Sequence, residues 1–378
     1  MDDNEGKFTL VTFNVNGASQ HEKQKDIFDY LRKKKFDIIF LQEMHCKSES
    51  ENYIRSLWGY NSFVCGNSTA KKGVAILFNN TFTYKVHKII KDNINGCYLI
   101  LDITIFNERY TLANVYGTSD KDDPDFFVKL SNIIDEIGNR QVITAGDWNV
   151  VLDPAIDARN YRSFNPRPNS RRKIKEMMEK FDLFDVFRTV YPNKKQYTWR
   201  RFNSIQQSRL DYFLISDSLA TEVRNIEILP GYRSDHSLVC LSMKNQLISQ
   251  RPKGYWKFNN SLLHDIEYVN LIKKTIQETI IQYMLPVYNL EFVKREFYEN
   301  IQFSINDQLF YEILLVEIRG ITIKYSSNKK KKEEKEEKKL IQEIDRLENL
   351  SNIDMEDMII IEEKKYNYKN IERKKSKE

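Results

Sequence analysis

From residue 8 to about residue 243, short apolar runs alternate with polar or amphipathic segments. Apolar runs bounded by turn residues read as strands, and the candidates are FTLVTFNV, DIIFLQE, GVAILF, CYLILDITIF, RYTLANVY, QVITAGDWN, SRLDYFLIS and SLVCLSM. In CYLILDITIF, Cys97, Leu99, Leu101, Ile103 and Ile105 alternate with more mixed residues, the period of a strand with one strongly apolar face. Two helices interrupt the series. One covers HEKQKDIFDYLRKKK; the other covers PDFFVKLSNIIDEIG, with Pro124 near its start and Gly138 at its end, where helices accept these residues. Strands interleaved with helices predict an α/β (α+β) domain.

The pattern changes after Met243. Ile266, Val269, Ile272, Ile276, Ile280 and Tyr283 recur at helical steps, predicting a helix with one buried face. A second helical stretch is expected over residues 291 to 320. KKKKEEKEEKKLIQEIDRLENL then sets a short stripe of Leu340, Ile344 and Leu347 in mixed charge, the mark of a solvated helix or short coiled coil. The end, NIERKKSKE, reads as frayed or disordered. The expected organisation is an α/β domain over 1–244, a helical connector over 245–320 and a charged helical tail, partly disordered, over 321–378.

Composition narrows the class. The chain has 378 residues, 41% hydrophobic and 30% charged, enough for a sizeable core. A net charge of +5 is too mild to demand a polyanionic partner, so the distribution of charge has to decide. Cys46, Cys65, Cys97 and Cys240 are scattered without a C-x-x-C pair, which argues against structural zinc and for a reducing compartment. MDDNEGKFTLVTF lacks the basic-then-apolar order of a signal peptide, and no apolar run reaches the roughly 18 residues of a membrane span. No membrane partner is expected.

The candidate chemistry sits at strand ends: Asn14 and Asn16, Glu43, Asn114 and Tyr116, Asp147 and Asn149, Asp211, and Ser234-Asp235-His236. In QVITAGDWNV the apolar run stops at Gly146, which permits a close backbone approach, and three polar or aromatic residues follow. Singly, each position has a structural explanation, because Asn and Asp favour turns. Together they make a chemical set. Cleaving a phosphodiester needs a hard divalent ion, for which Glu43 is a suitable ligand. It needs an oriented water, which Asp147 can aim or deprotonate with help from Asn149. It also needs donors to the phosphate oxygens, which His236, Asn14 and Tyr116 supply, with Asp211 holding the imidazole.

The ordered series TFNVNG, LQE, NVYG, GDWN, RLDYFLIS and SDHS resembles the endonuclease/exonuclease/phosphatase superfamily over residues 8 to 243. The resemblance implies a four-layer sandwich of two mixed β-sheets flanked by helices, with the active site at one end. It implies Mg²⁺ as cofactor, with Mn²⁺ able to substitute and no small-molecule organic cofactor. Glu43 would bind the metal with Asn14 and Asp235 nearby, Asp147 and Asn149 would meet the water and scissile phosphate, Tyr116 would lie beside the phosphate, and Asp211 would orient His236. Which carboxylate is the base, and whether one metal or two are used, stays open.

Within that superfamily, RLDYFLIS is similar to apurinic-site endonucleases and their retrotransposon relatives, and Asn16 resembles the endonuclease domain of LINE-type non-LTR elements. WKFNNSLL and the charged helices after it resemble the connector to a reverse transcriptase. No strand-embedded Y/F-x-D-D signature is present, so the chain reads as an endonuclease truncated before the polymerase, with reverse transcriptase a partner supplied in trans. The expected activity is Mg²⁺-dependent nicking of DNA to leave a 3′-hydroxyl, at a nuclear working site. The alternatives are a repair-type apurinic-site endonuclease, a phosphoinositide or sphingomyelin phosphodiesterase, and a non-catalytic DNA-binding module. DNA contacts are expected from a phosphate-tracking loop between Ala158 and Lys175, which carries Arg159, Arg162, Arg167, Arg171, Arg172, Lys173 and Lys175 without an acidic residue. Further contacts are expected from Arg200 and Arg201 at a hairpin tip, where Phe202 is either a base wedge or a loop anchor.

Overall fold

The computed structural model describes residues 7–69, 71–160, 167–201, 204–244, 257–285, 301–350 and 354–377. Arg162 and Phe202 lie outside the described residues, as does the beginning of the helix expected from residue 291. The chain forms two compact units, Met1–Pro252 together with Leu340–Lys377, and Lys253–Lys339.

The first unit holds two six-stranded sheets. One runs in the order Val223–Leu229, Leu238–Lys244, Lys7–Asn14, Ile38–Gln42, Val74–Phe78, Ser62–Cys65; the other runs Leu183–Asp185, Asp211–Ser216, Val142–Asp147, Glu108–Tyr116, Tyr98–Ile105, Tyr84–Lys91. Both are mixed: Lys7–Asn14 pairs parallel with Ile38–Gln42 and antiparallel with Leu238–Lys244, and Glu108–Tyr116 pairs parallel with Val142–Asp147. The strands expected from the apolar runs are the interior strands of the two sheets. The four edge strands escaped notice because an edge strand needs no unbroken apolar run; Tyr84–Lys91, for example, is mostly exposed.

Strand alternation builds the layers. Leu10, Ile38, Phe40 and Ile76 of the first sheet pack on Leu101, Leu112, Ile143 and Phe213 of the second. Their strand neighbours point the other way, so Val11, Phe13, Ile39 and Leu41 meet the helices His21–Lys34 and Glu51–Trp58 through Ile27, Phe28, Leu31, Ile54 and Trp58. Across the molecule, Ile100, Ala113, Tyr212 and Leu214 meet Phe127, Leu130, Ile174 and Met177 of Pro124–Ile137 and Pro168–Lys180. The result is helix, sheet, sheet, helix. Both expected helices are present; Asp123 caps Pro124–Ile137 by accepting from the Phe126 N–H, and Gly138 ends it at φ 72°.

Three expectations need correction. The basic stretch expected as a loop is helical over Pro168–Lys180, because Pro168 starts the helix while Ile174 and Met177 bury one face. The frayed end is instead part of a helix, Met355–Lys377, in which Ile361 and Tyr368 are fully buried. With it, Leu340–Lys377 joins the first compact unit rather than a separate tail. In the second unit, Ile266–Tyr283 is helical but rotated from the expected face: Ile266 is 78% exposed, whereas Tyr268, Thr275, Thr279 and Ile280 are buried. Tyr268 wins the buried position through a hydrogen bond of 2.7 Å between its hydroxyl and that of Thr322.

A buried ionic knot leads into the strand Asp211–Ser216. Arg209 donates to both oxygens of Asp157 (2.8 and 2.7 Å) and to Asp185 (2.5 Å), and Arg188 also pairs with Asp157. Removing the central cation leaves carboxylates desolvated with too little counter-charge. Arg209→Leu is therefore expected to cost about 3–5 kcal/mol in urea-induced unfolding; a loss below about 1 kcal/mol would show that the knot contributes little.

Candidate functional site

Sheet register gathers the first three residues. Asp147 ends its strand opposite Tyr116 on one side and Asp211 on the other, so a phenol and two carboxylates stand abreast at one rim. Close packing is possible because Gly146, at φ 153°, lies against the Val115 carbonyl, and a Cβ there would sit 1.8 Å from that oxygen. In the facing sheet, Asn14 is level with Gln42, the residue before Glu43.

Side chains then join the two rims. Asn14 Nδ2 donates to Asp147 Oδ2 (2.8 Å) and lies 3.5 Å from His236 Nε2. Tyr116 donates its hydroxyl proton to Glu43 Oε1 (2.7 Å). His236 Nδ1 is 2.8 Å from Asp211 Oδ2, while Ser234 positions the histidine loop by donating to the Asn14 carbonyl (2.7 Å) and accepting from the His236 N–H (3.0 Å). Asn149 binds Asp147 twice, through its backbone N–H (2.9 Å) and its side-chain amide (3.0 Å). Asn16, Glu43 and Asn149 all have left-handed φ near 50°, a strained conformation held by these contacts.

The electrostatics follow from burial. Burial alone would push His236 down, but Asp211 and Asp147 beside it override that and hold its pKa well above the ordinary value. Burial and the neighbouring Asp211 push Asp147 up, opposed by His236 and the Asn14 hydrogen bond. Burial, reinforced by Glu43, also raises Tyr116, which stays a neutral donor. Asp211 and Asp147 thus favour the protonated form of the His236 ring.

A cavity of about 300 Å³ opens here, lined in part by Asn16, Glu43, Asp147, Asn149, Asp235 and His236. Among the described residues, Asp147, Asp211 and His236 form an acidic and histidine cluster with ligand atoms within 4.8 Å of one another, a possible metal site. The His236 ring is committed to Asp211, so carboxylate and amide oxygens of the cavity are the better donors, and an all-oxygen set fits a hard divalent cation. Asn14 is occupied at both ends, Oδ1 accepting from the Asn16 N–H (2.9 Å) and Nδ2 serving Asp147, so it orients the carboxylate.

The expected DNA contacts divide. Arg172 and Arg201 are exposed, paired with Glu176 (3.3 Å) and Gln206 (3.2 Å). Arg159 instead donates to the carbonyls of Glu348 and Leu350, Arg171 is buried on the Val151 carbonyl (2.5 Å), and Arg200 is buried in an ion pair with Glu348. Arg167, one of the basic residues expected on DNA, serves the cavity wall instead, while Trp199 and Gln42 escaped the sequence. Arg167 donates to the carbonyls of Thr118, Ser119 and Asn149 at the cavity wall. Trp199 donates to Asp235 (3.2 Å), and buried Gln42 bonds Asn114 (2.7 Å) between the sheets. Gln42 had a signal, its place beside Glu43 in LQE. Trp199 had none, because its partner is set by the fold.

Among the described residues no helix is long and apolar enough to cross a membrane. The chain is 29% identical over 272 residues to the "Transposon TX1 uncharacterized 149 kDa protein" of Xenopus laevis, covering 71% of this chain and 20% of the relative. It therefore spans about a fifth of that protein's length. It is 24% identical over 250 residues to an exodeoxyribonuclease of Bacillus subtilis (strain 168), covering 60% of this chain and 96% of the relative. In fold it is similar to an AP endonuclease of Leishmania major, with a TM-score of 0.54 and 20% identity over 65% of this chain and 90% of that one. The sequence profile of the Endonuclease/Exonuclease/phosphatase family matches residues 11–236, more than half of the chain and the whole span from Asn14 to His236. The chain belongs to that family.

Proposed function

We propose that this chain is a divalent-metal-dependent endonuclease that nicks DNA by phosphodiester hydrolysis and leaves a 3′-hydroxyl, in the manner of target-site nicking by LINE-type retrotransposons. The observation that carries the reading is the convergence of Asn14, Glu43, Asp147 and His236 from two sheets on one polar cavity. The likeness to a transposon protein, which reaches 71% of this chain, supports the retrotransposon branch.

Glu43 and Asp235, with Asn16 beside them, would hold the cation, for which Mg²⁺ is the natural choice. When bound, the ion supplies Lewis-acid stabilisation of charge on the phosphate. The protein's own groups perform the remaining tasks. Asp147, fixed by Asn14 and Asn149, aims a water at phosphorus and accepts its proton, and its raised pKa suits a base working near neutrality. Doubly protonated His236, held by Asp211, presents Nε2–H to a non-bridging oxygen as charge builds there. Tyr116 orients Glu43 through its hydroxyl. The new P–O bond forms to the water oxygen, the bond to the 3′-oxygen breaks, and that oxygen takes a proton.

Purified chain is expected to convert supercoiled plasmid to relaxed circles in Mg²⁺ and not in EDTA. Asp147→Ala and His236→Ala should each slow nicking by about 10²- to 10⁴-fold. Equal nicking by all three proteins would refute the assignment, and cleavage confined to an abasic oligonucleotide would move it to repair. The charge clamp gives a second test. Asp211→Asn removes the dominant anion from His236 and leaves burial, which favours the neutral ring, so the midpoint of the imidazole titration followed by NMR should fall. The imidazolium, and activity with it, would then be lost at lower pH than in the parent. An unmoved midpoint would contradict the clamp.

A further inference from the structure

The docked position of Met355–Lys377 has a use beyond packing. Several independent contacts hold this helix on the first unit. Tyr368 is fully buried, its hydroxyl 3.4 Å from that of Tyr30, whose ring stacks on Tyr232 at 4.9 Å. Glu372 pairs with Lys34 (3.3 Å). Glu348, at the end of the preceding helix, is buried between Arg200 and Lys365 (3.1 Å from the lysine), and Met358 and Ile361 close over Leu347.

The adjoining flank of the helix lines a groove of about 900 Å³. Asn16, Asp235 and His236 line both this groove and the candidate active-site cavity, so the two adjoin. Its inner wall carries Lys23, Arg201 and Arg233; its outer wall carries Tyr366 and Lys369 of the C-terminal helix. Lys23 lies close enough to Arg233 and to Lys369 for each to oppose its charge, although the three come from separate parts of the chain. Glu362 and Glu363 line the outer wall as well, and Asp235 and Glu362 both lie near enough to Lys369 to favour its charged form. Tyr366, 63% exposed, offers a ring face beside these cations. Cations tracking a groove with an exposed aromatic ring are the elements of a site for an extended nucleic-acid strand.

We propose that the helix Met355–Lys377 is the outer wall of a DNA groove, in which Lys369 contacts a backbone phosphate flanking the scissile one and Tyr366 stacks on an adjacent base. The proposal rests on the nuclease reading and adds a binding surface outside residues 11–236, the span that matches the family. It explains why Arg159 and Arg200, expected as DNA contacts, are instead bound to the Glu348–Leu350 region: they anchor the wall, and the contact passes to residues on it.

The test uses the full chain and a fluorescent duplex oligonucleotide, with anisotropy read in EDTA across a salt series and nicking read separately in Mg²⁺. Lys369→Glu and Tyr366→Ala are compared with Lys374→Glu, which makes the same charge change at an exposed position outside the groove. Lys369→Glu is expected to weaken binding about tenfold and to reduce the salt slope by about 0.9, the equivalent of one phosphate contact. Tyr366→Ala should weaken binding about fivefold or more, the scale of one base stack, without changing the slope. Both should raise KM and leave kcat near the parent's, with circular dichroism unchanged. Lys369→Glu and Tyr366→Ala binding like Lys374→Glu would overturn the groove while leaving the nuclease intact. Faster nicking by Lys369→Glu would also overturn it, marking the helix as an obstruction. A parent that binds with the expected variant pattern but does not nick would instead refute the nuclease reading alone.

Discussion

Crowded negative charge at one rim is the constraint on which the rest of this structure depends. Asp147 and Asp211 are side by side in register, both fully buried, with Glu43 reaching in from the opposite sheet. Such a group can persist only if something offsets the desolvation and repulsion of its carboxylates. His236 does part of this by sitting as an imidazolium against Asp211, and Asn14 and Asn149 do more by donating to Asp147. What remains uncompensated faces the cavity, and the same excess that is costly in the folded protein makes the rim a place for a cation. Stability and chemistry are here two aspects of one charge arrangement.

The same rule governs the surroundings. Arg209 neutralises Asp157 and Asp185 just before the chain enters the strand that delivers Asp211, so a buried ionic knot fixes the approach to the Asp211–His236 pair. Glu348 repeats the arrangement with Arg200 and Lys365, and in doing so pins the C-terminal helix beside the cavity. Neither cluster touches the reacting atoms. Each uses a buried charge that is strongly unfavourable when unpaired, which makes the connection specific.

Much of the fold was legible in the chain. Interior strands are buried on both faces, so they read as apolar runs, and Leu99–Leu101–Ile103 or Val142–Ile143 could hardly be read otherwise. Edge strands such as Val223–Leu229 lack that pressure and left only a weak trace. The basic stretch misled because charge was conspicuous while the helical spacing of Ile174 and Met177 was not. In Ile266–Tyr283 the apolar count favoured one face, yet the hydrogen bond from Tyr268 to Thr322 decided the rotation.

By itself the sequence determined which strands exist and which polar side chains end them, because burial period and turn chemistry are local properties of the chain. Tertiary structure alone decided which of those residues meet. Asn14 bonds Asp147 across a separation of 133 residues and approaches His236 across 222, distances over which no local pattern carries information. It likewise turned Arg159 and Arg200 inward and brought Tyr366 and Lys369 to the groove, because a cation's direction is set by the nearest buried carboxylate or carbonyl, and that partner is known only once the chain has folded.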